Sequence, residues 1–341
     1  MSFENLELKN FRGFGESVYK IDSFTLITGK NGSGKSSILE ALHLILKFRS
    51  FRTSSTNSLI NYASDSFQVR CLKNSQILSV EKKKKAKLIR KGYPKDFDKF
   101  KTLPLLINNF SLSFLETNKE TRTSFLDYYM FHVKHHYLEE HKKFKKILSS
   151  RNRALKNKDE DQIILWTKLL TTQSEILNNQ RKEIFNKIIS SIPSFLNELP
   201  LNKKWKEISL NLSFNFQKGW KGESLVEALR ESYIEDLEKG YTTIGPQKFD
   251  LDIKIFGNNS SNILSRGEQK LLILLVFLSF GNFFSNIQDK EVIYLIDDLP
   301  SELDEENLAL AFQALKKTKQ QKIISSVKNI ENIKFDSVID L

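Results

Sequence analysis

A single cysteine, Cys71, leaves no partner thiol for a disulfide and no thiol set for a zinc site. No stretch approaches the 18 unbroken apolar residues of a membrane-spanning helix. The start, Met1-Ser2-Phe3-Glu4-Asn5-Leu6, lacks the basic and apolar regions of a signal peptide. Repeats of 20–50 residues are absent as well. These absences predict a cytoplasmic protein without a membrane partner. Acidic residues are the scarcer charge: 41 Asp plus Glu stand against 53 Lys plus Arg, a formal net charge of +12. Such a surface attracts polyanions, although a solvated lysine-rich surface explains the same count. With 40% hydrophobic residues, the 341-residue chain can bury one large core or two domains.

What is present is organised around Gly29-Lys30-Asn31-Gly32-Ser33-Gly34-Lys35-Ser36, a complete G-x-x-x-x-G-K-[ST] run. The apolar Phe24–Thr28 before it reads as a buried strand, and Ser37 to Leu46 after it as a helix. Strand, glycine-rich loop and helix together make a phosphate cradle. Glycines let successive N–H groups point at one anion, and the helix N-terminus adds partial positive charge. Lys35 supplies a full charge to the outer phosphates, and the Ser36 hydroxyl can ligate Mg2+.

The N-terminal part continues with a strand over Leu6–Arg12 and short antiparallel strands over 67–91. Within the latter lies Lys82-Lys83-Lys84-Lys85-Ala86-Lys87. A hairpin tip of that charge reads either as a solvated edge or, with Arg49 and Arg52, as a DNA-phosphate contact giving affinity without sequence preference. Leu103–Ile107 is a further apolar run. From Thr121 to Ile192 the spacing is helical, and the polar break at Lys156–Gln162 divides it into an antiparallel hairpin. Its second helix should run about 30 residues, roughly 45 Å, until Pro193 stops it. Ser209–Phe216 and Leu251–Ile255 alternate as strands, with a helix over Leu225–Leu237 between them. Leu271–Phe280 reads as a buried helix, Val292–Ile296 as a strand, Leu308–Leu315 as a helix and Lys322–Ser326 as the final core strand. The expected organisation is therefore 1–115 as the N-terminal half of an ATPase lobe, 116–200 as an inserted helical lobe, and 201–341 as the remainder of the ATPase lobe.

The Val292–Ile296 strand ends in Asp297-Asp298. A carboxylate at the end of an apolar strand can hold Mg2+ beside a P-loop, which is the Walker B arrangement. Asp297 is the metal candidate, and Asp298 is placed to polarise or deprotonate the attacking water. Leu264-Ser265-Arg266-Gly267-Glu268-Gln269-Lys270 precedes the buried helix. Alone, its Ser and Gly would be ordinary helix-capping residues. The order P-loop, S-x-G-x-Q, Walker B, then Ser301-Glu302-Leu303-Asp304 is that of ATP-binding-cassette ATPases.

Within that class the chain resembles the RecF family of bacterial recombination-mediator ATPases. The residues are Leu8-Lys9-Asn10-Phe11-Arg12, Ser50-Phe51-Arg52, Arg122-Thr123-Ser124-Phe125-Leu126-Asp127, His132-Val133, Arg151-Asn152, Gly245-Pro246, and the run from Leu295 to Asp304. Gln247 departs from the histidine usual after that Gly-Pro pair, and Ser325-Ser326 stand where transporter cassettes place a histidine. The resemblance implies an α/β fold: a P-loop, Rad50-head-like ATPase lobe with a largely helical second lobe. It implies ATP and Mg2+ held by Gly29 to Ser37, with Ser36 and Asp297 as metal ligands and Lys35, Asp297, Asp298 and Ser265 in hydrolysis. Ser265, Arg266 and Gly267 would meet the γ-phosphate bound to a second subunit, and Ser301–Asp304 would lie across the same interface. The implied protein is an ATP-dependent homodimeric clamp on single- and double-stranded DNA at gaps, with weak DNA-dependent ATPase activity. With RecR and RecO it would direct RecA in recombinational repair and the SOS response.

A transporter subunit carries a far smaller insertion than the roughly 230 positions between Lys35 and Ser265. SMC-type heads carry arms of many heptads, far longer than this hairpin. A DNA binder with a dead ATPase fits poorly with intact Lys35, Ser36, Asp297 and Asp298. His132, His135 and His136 lack the ligands to complete a metal shell and read as surface or packing residues. Tyr128, Tyr129, Phe131 and Tyr137 read as core between the lobes, and Trp205 and Trp220 as structural.

Overall fold

The structure is a computed structural model that describes residues 3–73, 75–93, 102–115, 119–133, 136–288, 290–327, 329–330 and 333–341. It divides into two units, Met1–Leu112 with Ser265–Leu341, and Ser113–Leu264.

The first unit begins with β1 (Phe3–Lys9), β2 (Glu16–Lys20), β3 (Phe24–Thr28), α1 (Lys35–Lys47), β4 (Ser66–Lys73), β5 (Gln76–Lys83), β6 (Ile89–Lys91) and β7 (Thr102–Ile107). Strand β1 ends sooner than its alternation suggests, because Asn10 and Arg12 turn the chain at φ 52° and 54°. The antiparallel strands form a sheet in the order β2-β1-β4-β5-β6.

The chain then builds the second unit from α2 (Lys119–Val133), α3 (Tyr137–Asn157), α4 (Glu160–Asn197), α5 (Lys203–Asn211), β8 (Leu212–Gln217), α6 (Leu225–Glu231), α7 (Tyr233–Lys239), β9 (Asp250–Ile255), β10 (Asn258–Asn259) and α8 (Ser260–Ile263). The expected hairpin is α3 with α4. Ile163, Leu170, Leu177, Ile184, Ile188 and Ile192 form its buried stripe, while Leu169 and Ile176 face out. Pro193 does not stop α4, which runs 38 residues to Asn197. The amide lost at a proline so near the helix end is offset by burying Phe195 and Leu196 beyond it. Ser209–Asn211 belong to α5 rather than to a strand, and Ser232 splits the expected Leu225–Leu237 helix in two. The largest correction concerns the boundary. Residues 201–264 stay with the helical unit, because β9 pairs with β8 on one side and β10 on the other in a separate three-stranded sheet, and the first unit resumes at 265.

The first unit resumes with α9 (Arg266–Gln288), β11 (Glu291–Ile296), α10 (Glu305–Lys317), β12 (Gln321–Ser326) and β13 (Ser337–Asp340). Strand β13 follows the strand expected to be last. The second sheet of this unit is parallel, in the order β13-β3-β12-β11-β7. Strands β3, β7 and β11 are buried on both faces and read as apolar runs, as parallel strands do, whereas the edge strand β13 is largely exposed. Helix α1 packs on strands of both sheets, and one core joins Leu6, Val69 and Val80 through Ile38, Leu42 and Ile45 to Leu295 and Ile323. Helix α9 is apolar and long enough to cross a membrane by composition, but 89% of that stretch is buried. Gly281 lets it approach β11, since a Cβ there would lie 2.0 Å from the Tyr294 hydroxyl.

Candidate functional site

Parallel strands bring their C-terminal ends to one edge of a sheet, and loops there gather into a site. Here β3 delivers the glycine loop and β11 delivers Asp297-Asp298, with β12 between them. Gly29, Gly32 and Gly34 take φ values of 148°, 86° and 110°, where a side chain is strained. Gly34 caps α1, and the ring of Phe14 occupies the space a Cβ would need there. Lys30 and Asn31 are exposed, and Ser37 is buried. Lys35 is buried too, with Nζ donating to the carbonyls of Gly29 at 2.7 Å and Lys30 at 2.9 Å. The ammonium is thus fixed on the rim of its own loop.

The two halves of the site meet at one hydrogen bond. Ser36 Oγ donates to Asp297 Oδ1 at 3.0 Å, across 261 positions of sequence. Serine hydroxyl beside carboxylate is a hard-oxygen pair, and magnesium takes one or two such ligands plus phosphate oxygens. Ser33 Oγ, inside the loop, is buried without a hydrogen-bond partner. A phosphate oxygen would satisfy that donor. The residues therefore fit a magnesium-bound nucleotide phosphate.

Asp298 follows at φ 54°, and its turn is held from two sides. Ser325 Oγ donates to Asp297 Oδ1 at 2.6 Å and accepts the Asp298 amide at 2.8 Å. Lys270 Nζ donates to the carbonyls of Asp298 at 2.6 Å and Ser301 at 2.8 Å. Burial lowers the Lys270 pKa, and the carboxylates of Asp298, Glu302 and Asp297 oppose the shift.

The signature residues sit elsewhere. Ser265 and Arg266 are exposed, and Ser265 bonds within its own turn. Its amide donates to Glu268 Oε2 at 2.9 Å, its Oγ accepts the Glu268 amide at 3.4 Å, and the pair makes a capping box. Gly267 is required by close packing, since a Cβ would lie 2.3 Å from the Glu302 carbonyl. The structure thus brings Lys35, Ser36, Asp297 and Asp298 together and leaves Ser265 and Arg266 facing outward.

The chain as a whole matches the family model described as RecF/RecN/SMC N terminal domain, over residues 2–341. It is 33% identical over 343 residues to the DNA replication and repair protein RecF of Pseudoalteromonas translucida (strain TAC 125), covering 96% of this chain and 92% of that protein. Against the protein of the same name from Francisella tularensis subsp. tularensis (strain WY96-3418) it is 32% identical, covering 100% and 98%. The chain belongs to the RecF family. Among solved structures, the recombination mediator protein RecF-ATP in the RecFOR pathway superposes with a TM-score of 0.79 at 21% identity, covering 99% of this chain and 95% of that one. An SMC head bound to the C-winged helix domain of ScpA gives 0.52 at 15% identity, covering 99% and 93%. Both likenesses establish the P-loop α/β ATPase fold for this RecF-family chain.

Sequence reading singled out Ser325 by its place in the motif order and quoted Lys270 in the signature run, but it gave neither residue the contacts seen here. The strand-end polar pair and a cation at the head of an apolar helix were the remaining signals. Among the basic candidates, Arg49 is exposed and Arg52 lies 3.8 Å from buried Glu40. Glu40 also takes a two-point bond from Arg12, at 2.9 and 2.7 Å. Lys82 is buried on the Ala86 carbonyl and Lys84 pairs with Asp65 at 2.7 Å, so the lysine run is less free than it reads. His132 is buried against Tyr128, which makes it a packing residue, and His136 lies 3.8 Å from Glu139. His135 lies outside the described residues.

Proposed function

We propose that this chain is a cytoplasmic ATP-controlled dimeric clamp of DNA repair, acting at single-strand gaps next to duplex. The relatives named DNA replication and repair protein RecF support the repair assignment. The solved RecF-ATP and its ATP-analogue counterpart support ATP as the nucleotide. The observation that carries the reading is the Ser36–Asp297 bond, which joins P-loop and Walker B while Ser265 and Arg266 stay exposed for a second copy.

In this reading the amides of Gly29 to Ser37 and the Lys35 ammonium bind the phosphates. Ser36 and Asp297 would hold Mg2+, which would supply neutralisation of phosphate charge. Asp298 orients water and takes its proton. Ser265 and the amide of Gly267 reach the γ-phosphate held by the other subunit, so ATP bridges the pair and hydrolysis releases it. DNA is held through its phosphates by the exposed members of the basic set, and RecR, RecO and RecA are the partners of the pathway.

Sedimentation of the purified protein with and without ATP, on and off gapped DNA, tests the clamp. ATP should double the particle mass, and an unchanged mass in both conditions refutes it. Lys35→Ala should abolish ATP binding, whereas Ser265→Arg should bind ATP and remain monomeric. A Ser265→Arg protein that still dimerises removes the shared site. DNA affinity should fall steeply with salt. ATP-dependent binding to a membrane protein instead of DNA would favour a transporter subunit.

A further inference from the structure

Ser325 has no role in that scheme, yet it stands at its centre. Strand β12 runs between the P-loop strand and the Walker B strand. Its register sets Ile324 opposite Ile296 on one side and Ser325 opposite Ile27 on the other. Ser325 is therefore the penultimate residue of β12, between the glycine-loop strand and the Asp297 strand. It is 0% exposed.

A hydroxyl carries one proton and two lone pairs, and here their use is fixed by the partners. The Asp298 amide can only donate, so Ser325 Oγ accepts from it at 2.8 Å. The proton then goes to Asp297 Oδ1 at 2.6 Å, a charge-assisted bond. The Ser325 carbonyl also accepts the Leu299 amide at 3.2 Å. One residue thus grips the metal-candidate carboxylate and both sides of the left-handed Asp298 turn.

Ser36 and Ser325 donate to the same oxygen, Asp297 Oδ1. When the Ser36 hydroxyl turns to a cation, its bond to Asp297 is weakened. The Ser325 bond then remains to keep the carboxylate aimed. We propose that Ser325 is a positioning residue for magnesium: it holds Asp297 for the ion and ties that carboxylate to the placement of Asp298. The proposal rests on the ATP-site reading above.

The test is a Mg2+ titration of binding of a fluorescent ATP analogue, run on the full chain and its variants. Ser325→Ala should bind the analogue in EDTA as the wild type does. It should need about ten- to a hundredfold more Mg2+ to reach half of the metal-dependent gain in affinity. Ser325→Thr, which keeps the hydroxyl, should restore the wild-type curve. A purely structural serine would lower the melting temperature and leave the Mg2+ midpoint in place, and that result overturns the proposal. If Ser325→Ala does not fold, Ser325→Cys is read on the same titration, because its thiol is a weak donor of similar size. A right-shifted midpoint for the thiol supports the proposal and an unshifted one overturns it. Failure of the ATP-site reading looks different: Lys35→Ala would then bind the analogue as well as wild type does.

Discussion

Lys35 and Arg151 are both cations at family-specific positions, and the two units use them in opposite ways. In the ATPase unit, Lys35 bonds only neutral carbonyls, and Ser33 Oγ has no partner. That unit's polar groups are under-satisfied where a ligand's charge belongs. In the helical unit, Arg151 is 1% exposed and faces the fully buried Asp236 at 2.7 Å. Thr167 and Thr242 take its other bonds, and Thr243 satisfies the second carboxylate oxygen through its amide and hydroxyl. Asn152 closes the set on Thr242. Arg181 is used similarly, bonded to Asp127, Tyr137 and the Pro246 carbonyl and stacked 3.7 Å from the Phe249 ring centroid. Arg122 forks onto Asp250 at 2.8 and 2.9 Å. The loop residues Ser33 and Lys35 of the ATPase unit leave polar capacity for a ligand, whereas Arg122, Asp127, Arg151 and Asn152 of the helical unit are paired within it. A buried pair completed by hydrogen bonds specifies one packing more than it adds stability, and breaking it is costly.

Removing one partner gives the largest expected effect. Arg151→Met leaves Asp236 charged and buried, at a cost of about 3–5 kcal/mol. Trp166, Trp205 and Trp220 are the only tryptophans and all lie in the helical unit, so their fluorescence in urea reads that unit alone. Lys35→Ala, by contrast, should abolish nucleotide binding while leaving that transition in place and lowering the melting temperature by far-ultraviolet circular dichroism less than Arg151→Met does. Equal stability losses in both variants would erase the distinction.

The ATPase unit has a buried histidine whose titration could blur the contrast. His43 on α1 donates its Nδ1 proton to the Arg49 carbonyl at 2.9 Å, and burial pulls its pKa down to about 4. The unfolded chain binds a proton near pH 6.5, where the folded protein still does not. Stability from this residue is therefore intact above about pH 6.5 and falls as the pH drops towards 4, by about 3 kcal/mol. His43→Gln should flatten that dependence, measured as melting temperature against pH by far-ultraviolet circular dichroism. His141 in the helical unit is lowered by burial as well, against the pull of Asp127. Tryptophan fluorescence should show acid loosening there that His43→Gln leaves untouched.

Gly267 sharpens the contrast from within the ATPase unit. Its neighbour Ser265 faces outward, but Gly267 itself is fixed by the Glu302 carbonyl. Gly267→Ala should cost about 1–3 kcal/mol from overpacking, read as a lower melting temperature. It should also weaken ATP-dependent dimerisation. Dimerisation lost at unchanged stability would mean that this glycine serves the partner subunit alone.

The P-loop was legible because its chemistry is local. Glycines, lysine and serine within eight positions dictate backbone curl and charge without help from the rest of the fold. Asp297-Asp298 was legible as a polar end to an apolar strand. The contacts of Ser325 were not, because they exist only once β12 lies between β3 and β11, and strand order is a non-local property. The unit boundary failed for a related reason. Alternation in Phe214–Phe216 and Leu251–Ile255 shows which face is buried but not which strand is the partner. Those strands pair with each other rather than with either ATPase sheet. Arg122, Asp127, Arg151 and Asn152 were recognised as family residues, but their burial could not be read before their partners were known.

Gln247 offers the smallest expected effect and the finest probe of how complete the helical unit's networks are. Its Nε2 donates to the Ile244 carbonyl at 2.7 Å and to Thr242 at 3.3 Å. Its Oε1 is buried with no partner. Gly245, at φ 124°, brings the backbone so close that a Cβ there would lie 2.8 Å from this oxygen. An unsatisfied buried acceptor costs on the order of 1 kcal/mol. Histidine, the usual family residue here, offers one ring N–H to the same carbonyls and removes the stranded oxygen. Gln247→His should therefore stabilise the helical unit by up to about 1 kcal/mol in the tryptophan-monitored urea transition. Gln247→Glu should destabilise it, because a carboxylate would then face the Ile244 and Thr242 carbonyls without a proton to give. If Gln247→His is destabilising instead, the amide is matched to this site by shape, and the stranded oxygen is tolerated because the neighbouring arginine network leaves an imidazole no room.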